Sequence, residues 1–294
     1  RMYDRILFPT DGSGGADQAL EHVLDIASAH GTTVHLLNVA DTTRDSLTRV
    51  QGEIIDVLEQ EGEDLLADVA ERARKRGVET VSTVLQGEPY RTIVQYADEY
   101  DIDLIVMPTH GRSGLQRLLL GSTTERVVRR AEVPVLTIRP DAADAVRYPY
   151  RGVAVPTDGS EGASEALSVG ADVATDAEAA LYVLSVITYQ SLGIDVRSDI
   201  QSAMLEESAE EIVEEATAAA ERAGVETVDG AVEYGSSVHE AILEFLEQRD
   251  IDLVVVGTHG RTGFDRFLLG SVAEALLRTS PVPVLTVRPS EHED

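Results

Sequence analysis

The strongest constraint on this chain is that it is written twice. ILFPTDGSGGADQAL at residues 6–20 returns as VAVPTDGSEGASEAL at 153–167, and PTHGRSGLQRLLLGS at 108–122 returns as GTHGRTGFDRFLLGS at 257–271. Residues 101–140 and 250–289 are identical at 24 of 40 positions by direct count. A period near 148 residues is far too long for a solenoid, so the pattern is a tandem duplication of a whole domain. The 294 residues suffice for two domains, each burying its own core. The expected division is a first domain at 1–141, a linker at 142–150 and a second domain at 151–294. Around the linker, PDAADAVRYPYR (Pro140 to Arg151) carries two prolines and neither a helical nor a strand period.

Each half alternates short β-branched runs with long amphipathic segments. The first half predicts strands at Arg5–Phe8, Thr33–Val39, Thr80–Leu85, Leu104–Met107 and Val135–Arg139. Helices are predicted between them at Ala16–His30, Glu53–Arg76, Tyr90–Tyr100 and Ser122–Ala131. The second half repeats the order, with strands at 152–156, 180–186, 227–233, 253–257 and 284–288 and helices at 163–175, 199–223, 236–249 and 271–279. Near-continuous apolar runs such as DLIVM and DLVVV suit a parallel sheet buried on both faces. Strict alternation with right-handed crossovers gives an α/β fold with helices on both faces, whose ligands sit beyond the strands' carboxyl ends.

Charge narrows the partners. Fifty-three acidic residues against 24 basic ones give a net charge of −29, and Lys75 is the only lysine. A surface this acidic, nearly free of lysine, fits a salt-rich cytoplasm. It offers no basic face for neutralising phosphates along a nucleic acid. No run is long and apolar enough to span a bilayer, and the lack of cysteine excludes disulfides and thiolate metal sites. A cytoplasmic protein without nucleic-acid or membrane partners is expected.

Two loops per half lie at the carboxyl edge. Pro9, Thr10 and Asp11, like Pro156, Thr157 and Asp158, leave the first strand next to a glycine. The Asp carboxylate either accepts hydrogen bonds from ribose hydroxyls or caps the following turn. The second loop leaves the fourth strand at Met107 and runs through Gly111, Gly114 and Gly121 to Ser122 and Thr123. Its echo runs from Gly257 through Gly260, Gly263 and Gly270 to Ser271 and Val272. Glycines let a backbone approach an anion, and Ser122 is expected to cap a helix whose free N–H groups favour phosphate. Ordinary helix capping explains Gly-Ser equally well. No Walker loop and no G-x-G-x-x-G after the first strand is present. Arg112 and Arg261 either lie against a polyphosphate or are solvated. Arg117 and Arg266 recur in register, and pairing with nearby carboxylates is enough to account for them. A structural role is expected for His110 and His259, and no catalytic residue or metal site is assigned.

The combination of G-T-H-G-x9-G-S from Gly257 to Ser271, P-T-D-G-S after the first strand and the closing VPVLTVRP resembles the universal stress proteins, specifically their nucleotide-binding branch. The resemblance covers both halves. It implies two tandem open parallel five-stranded sheets in the order 3-2-1-4-5, of the adenine-nucleotide alpha hydrolase-like kind, with ATP, or AMP or ADP, at the carboxyl edge and Mg²⁺ held through the phosphates. Carried over position by position, Gly257, Gly260, Gly270 and Ser271 would hold phosphates, Asp158 the ribose, and Val186 the adenine through its backbone. In the first half Gly111, Gly121, Ser122, Asp11 and Val39 match, but Pro108 replaces the first glycine, which removes a donor and fixes φ. The resemblance also implies that the last strands, VPVLTIR and VPVLTVR, pair within the chain, with a further homo-oligomer open, because exposed edges of this composition invite aggregation.

The leading expectation is a nucleotide-binding stress-response or regulatory module with little turnover. A slow ATPase and a nucleotide-independent pseudo-dimeric scaffold are the alternatives. Thr-Asp-Gly-Ser after the first strand, in place of H-x-G-H, argues against adenylyl transfer.

Overall fold

The computed structural model describes residues 3–42, 53–110, 120–189, 196–258 and 269–289. The chain forms two compact units that divide between Asp144 and Ala145. Unit 1 runs β1 (Arg5–Pro9), α1 (Gly14–His30), β2 (Thr33–Asp41), α2 (Glu53–Lys75), β3 (Thr80–Gly87), α3 (Pro89–Glu99), β4 (Leu104–Pro108), α4 (Ser122–Arg130) and β5 (Val135–Ile138). Unit 2 runs β6 (Gly152–Pro156), α5 (Glu161–Ala177), β7 (Ala180–Thr188), α6 (Val196–Arg222), β8 (Val228–Gly235), α7 (Val238–Gln248), β9 (Leu253–Gly257), α8 (Ser271–Thr279) and β10 (Val284–Val287). The strand order is β3-β2-β1-β4-β5 in unit 1 and β8-β7-β6-β9-β10 in unit 2. All of these neighbours are parallel within their unit. The α/β fold, the parallel five-stranded sheets and their order are as expected from sequence.

The elements form where local chemistry and burial agree. β4 is LIVMP with every residue buried, as a central parallel strand between two helix layers requires. α1 buries Ala16, Ala19, Leu20, Val23, Leu24 and Ala27, a stripe at helical spacing. The Ser13 side chain caps its start by accepting from the Ala16 amide, and Gly31 ends it at φ 64°. α5 is built the same way from Ser160, but its end falls on Glu178 at φ 53°, where a side chain is strained.

Right-handed crossovers put α1 and α2 on one face of unit 1 and α3 and α4 on the other. α1 and α2 are tied by Arg72, which donates to Asp17 and Glu21 at 2.7 Å each, and by Arg76, which bridges Glu21 and Asp25. After β5, Pro140–Ala145 winds into a short 3₁₀ turn rather than running without a period. Proline's fixed φ suits a first helical position, where its missing N–H costs nothing. Among the described residues, no helix is long and apolar enough to cross a membrane.

Candidate functional site

β1 and β4 are the neighbours at which strand order reverses, and their pairing is short. Their register covers Ile6↔Leu104 and Leu7↔Ile105, whereas β1 and β2 are paired over five residues. Unit 2 repeats this, with β6 and β9 paired at Val153↔Leu253 and Ala154↔Val254. Beyond these pairs the carboxyl ends are no longer joined to each other, which makes the crevice where open α/β sheets hold ligands.

The first loop leaves β1 through a set of bonds repeated nearly identically in both units. The Thr10 amide donates to the Leu37 carbonyl at 2.9 Å, and the Thr157 amide to Leu184 at 2.8 Å. The Thr10 hydroxyl accepts from the Gly12 amide and the Thr157 hydroxyl from Gly159, each at 3.2 Å. Asp11 Oδ1 accepts from the Ser13 amide and Asp158 Oδ1 from the Ser160 amide, each at 3.0 Å. Gly12 and Gly159 take φ of 71° and 75°, a conformation that favours glycine here. The turn-capping alternative for Asp11 and Asp158 therefore holds for one carboxylate oxygen. Thr10 and Thr157 are expected from sequence only as nucleotide-binding candidates, and the turn role of their hydroxyls is missed there, although Thr-x-Gly after a strand is a recognisable side-chain turn.

The second loop returns to the same edge. The Gly121 amide donates to the Thr109 carbonyl at 2.7 Å, and the Gly270 amide to the Thr258 carbonyl at 2.8 Å. These bonds hold the start of α4 and α8 against the tips of β4 and β9. The cap residue differs from expectation: Gly121 and Gly270 are the N-caps, with no side-chain cap hydrogen bond, and Ser122 and Ser271 are the first helical residues. The cap falls on glycine because a Cβ at position 121 would lie 3.1 Å from the Thr109 oxygen and 3.2 Å from the His110 Cα. By contrast Ser13, Ser160 and Ser237 close the starts of α1, α5 and α7 with their own side chains. Two helices at this edge thus begin with amides that no side chain of the cap residue satisfies.

Val39 and Val186 lie two residues before the ends of β2 and β7, half-buried. Met107 is buried at the end of β4, and Thr123 and Val272 are half-buried in the first turns of α4 and α8. Gly111, Arg112, Gly114, Arg117, His259, Gly260, Arg261, Gly263 and Arg266 lie outside the described residues. His110 has its Nδ1 3.2 Å from the Thr109 hydroxyl.

Position 108/257 packs against the first helix of its unit. A Cβ on Gly257 would lie 2.5 Å from the Gly162 carbonyl oxygen, so the first turn of α5 sits directly on β9. Pro108 has a Cβ at the matching place, which requires the first turn of α1 to stand further from β4. The Pro108 Cβ lies 3.5 Å from where a Cβ on Gly15 would be, while Pro140 Cγ and the His110 oxygen approach the same point at 2.9 and 3.0 Å. The Pro108 carbonyl also accepts from the Thr124 hydroxyl at 2.9 Å, where unit 2 has Ala273.

The model of the universal stress protein family matches residues 2–139 and again residues 149–288. The chain belongs to the universal stress protein family. It is a tandem member, with one family domain in each half. A universal stress protein of Methanocaldococcus jannaschii is 36% identical over 141 residues, covering 47% of this chain and 83% of its own. One from Mycobacterium tuberculosis is 30% identical over 238 residues, 79% of this chain and 78% of its own. The crystal structure of a universal stress protein from Archaeoglobus fulgidus superposes at TM-score 0.74, covering 98% of this chain and 99% of that one at 23% identity. That similarity speaks for a universal stress protein fold along the whole chain.

Proposed function

We propose that each unit binds an adenine nucleotide in the crevice between its two loops, and that the chain works as a binding or regulatory module with little turnover. The observation that carries this is the glycine-started α4 and α8, whose first amides have no side-chain cap and stand beside the end of the β1–β4 or β6–β9 pairing. Phosphate oxygens satisfy such amides, and Asp11 or Asp158 at the opposite lip faces the ribose. Among the described residues no group of three His, Asp or Glu side chains is placed to hold a metal ion. Any Mg²⁺ is proposed to be held through the phosphates of the nucleotide.

The two sites are proposed to be unequal. The Thr258 amide donates to Val287 on the β10 side, so the alternation of a parallel strand turns the Gly257 amide towards the β6 side, into the crevice. Pro108 offers no N–H there. One missing hydrogen bond to a charged ligand corresponds to roughly tenfold in affinity.

Titration calorimetry of the chain in concentrated KCl with Mg-ATP and with AMP tests both statements. Two sites are expected, the tighter one lost in Gly270→Val with folding retained. A folded chain that takes up no nucleotide overturns the reading in favour of a scaffold, and phosphate release above a buffer control would make the protein a slow ATPase. Pairing of the two last strands within one chain remains a proposal resting on their edge-strand composition. Hydrogen exchange that is fast at Val135–Ile138 and Val284–Val287 would count against it.

A further inference from the structure

β3 and β8 are the outer strands of their units, and among the described residues each pairs with one neighbouring strand, β2 or β7. Such an edge presents amides and carbonyls that template another strand unless charge or shape blunts it. The two units treat this liability differently. β3 reads TVSTVLQG, eight residues without a charge, in a chain whose net charge is −29. β8, of the same length, reads VDGAVEYG and carries Asp229 and Glu233.

The contrast is sharpest on the face of β3 turned to α3. Thr83 Oγ1 lies 3.3 Å from the Tyr96 hydroxyl on α3, so the alternation of the strand puts Val81, Thr83 and Leu85 on that face. Val81 is in register with His35, whose ring stands 6.0 Å from that of Tyr100 at the end of α3. Val81, Tyr100 and Leu85 are 42, 41 and 36% exposed, three of the seven large apolar side chains so exposed among the described residues. The registers to β2 and β7, and the equal lengths of α3 and α7, make Asp229, Ala231, Glu233 and Arg249 the unit 2 counterparts of Val81, Thr83, Leu85 and Tyr100. There Arg249 lies 3.7 Å from Glu233. One frame thus carries a charged edge in unit 2 and an apolar edge in unit 1.

We propose that β3 is an interface for a second copy of this chain, joined antiparallel about a two-fold axis at Thr83. The hydrogen-bond phase of the strand selects this register. The Val34 amide donates to the Glu79 carbonyl at 2.9 Å, so residues 79, 81, 83 and 85 direct their amides and carbonyls to β2. Thr80, Ser82, Val84 and Gln86 direct theirs outwards. An antiparallel copy centred on Thr83 sets Ser82 opposite Val84 of the second copy and Thr80 opposite its Gln86, all as hydrogen-bonded pairs. Val81 then meets Leu85 of the second copy in a non-hydrogen-bonded pair, where side chains approach more closely. Centring on Ser82 would set Leu85 against Glu79, and centring on Val84 would set Val81 against Gly87, so either loses the apolar match. A second copy fits because no residue of β3 brings a charge to the contact, whereas acidic surfaces elsewhere on the chain repel their own kind. The contact is one strand wide, at the small end of specific interfaces, so the dimer is concentration-dependent. Salt that screens the remaining repulsion strengthens it.

Sedimentation equilibrium of the full chain across a KCl series tests the interface. A monomer–dimer equilibrium is expected, moving towards dimer as KCl rises. Val81→Asp/Leu85→Glu, which installs the unit 2 residues at exposed places, is expected to weaken it at least about tenfold, with melting temperature reporting the fold. Cysteine substitution in this cysteine-free chain reads the register without that variant. Thr83→Cys is expected to oxidise to a covalent dimer, because position 83 faces itself across the axis within disulfide reach. Ser82→Cys is two residues out of step with its copy and is expected to stay unlinked. A chain that remains monomeric throughout the KCl series, a dimer unaffected by Val81→Asp/Leu85→Glu, or cross-linking at Thr83→Cys no greater than at Ser82→Cys overturns the proposal.

Discussion

Unit 1 and unit 2 carry the same loops on sheets of the same strand order and back them with different side chains. The loop bonds repeat to within 0.1 Å: Gly12 to Thr10 and Gly159 to Thr157 at 3.2 Å, Ser13 to Asp11 and Ser160 to Asp158 at 3.0 Å, Gly121 to Thr109 and Gly270 to Thr258 at 2.7 and 2.8 Å. Behind the loops the packing diverges. In unit 1 His35 Nδ1 lies 3.0 Å from the Tyr96 hydroxyl, and Tyr96 stacks on Tyr100 at 4.2 Å. In unit 2 the corresponding residues are Tyr182, Phe245 and Arg249, with the guanidinium 3.7 Å above the Phe245 ring. Across α1 and α2 the Arg72 and Arg76 ion pairs stand where α5 and α6 have Ser164, Ser168, Ala219 and Ala223. The carboxyl edge proposed to meet a ligand is held by backbone and short hydroxyl bonds, which admit few substitutes. The layers behind it need only be filled.

Exchanging residues between the units measures how independent those solutions are. The largest effect is expected for Gly257→Val, whose Cβ would meet the Gly162 carbonyl at 2.5 Å. Unit 2 should lose more than about 3 kcal/mol in denaturant unfolding, while the reciprocal Pro108→Gly costs unit 1 about 1 kcal/mol or less, mostly through the freer unfolded chain. Similar losses for both would show that the two roots of the loop are built alike.

His22 offers the next contrast. Burial holds its pKa down, at about 4, against a smaller upward pull from Asp25, and unit 2 has Val169 in its place. The unfolded chain takes up a proton near pH 6.5 that the folded chain refuses until about pH 4. The stability this group contributes is therefore complete above pH 6.5 and is lost as pH falls towards 4, a loss of about 3 kcal/mol. Unfolding midpoints measured across that range should fall more steeply in the wild type than in His22→Val, and parallel curves would remove the assignment.

A smaller effect, and of the opposite sign, is expected at the end of α5. Glu178→Gly should stabilise unit 2 by up to about 1 kcal/mol, because Glu178 sits in the left-handed region that Gly31 occupies freely in unit 1. The smallest is Arg72→Ala, less than about 1 kcal/mol, since the ion pairs with Asp17 and Glu21 are solvent-exposed. Its cost should shrink further in concentrated salt. A cost that persists there would point to packing of the arginine stem.

The duplication and the apolar strands made the fold readable, and the two glycine loops pointed to the carboxyl edge as the candidate site, because each rests on local pattern. The cap was misplaced by one residue, since Ser122 looks like a cap and only the closeness of Thr109 and His110 selects Gly121. The role of Gly257 was open in the same way. Its contact with Gly162 joins residues far apart in sequence, and no local pattern announces it.

The crowding at the root of β4 and β9 bears on how such a chain can be recombined. Two similar halves in one reading frame are prone to unequal exchange, and a crossover between the first helix and the fourth strand would splice the close-set start of α5 onto a β4 that carries Pro108. The proline ring would then meet the Gly162 backbone, and the hybrid domain would have to reseat its first helix before it could close. Whole-domain shuffling escapes this conflict. The inheritable module is therefore the complete unit, with its breakpoint confined to the short turn at Pro140–Ala145 and the residues just beyond it.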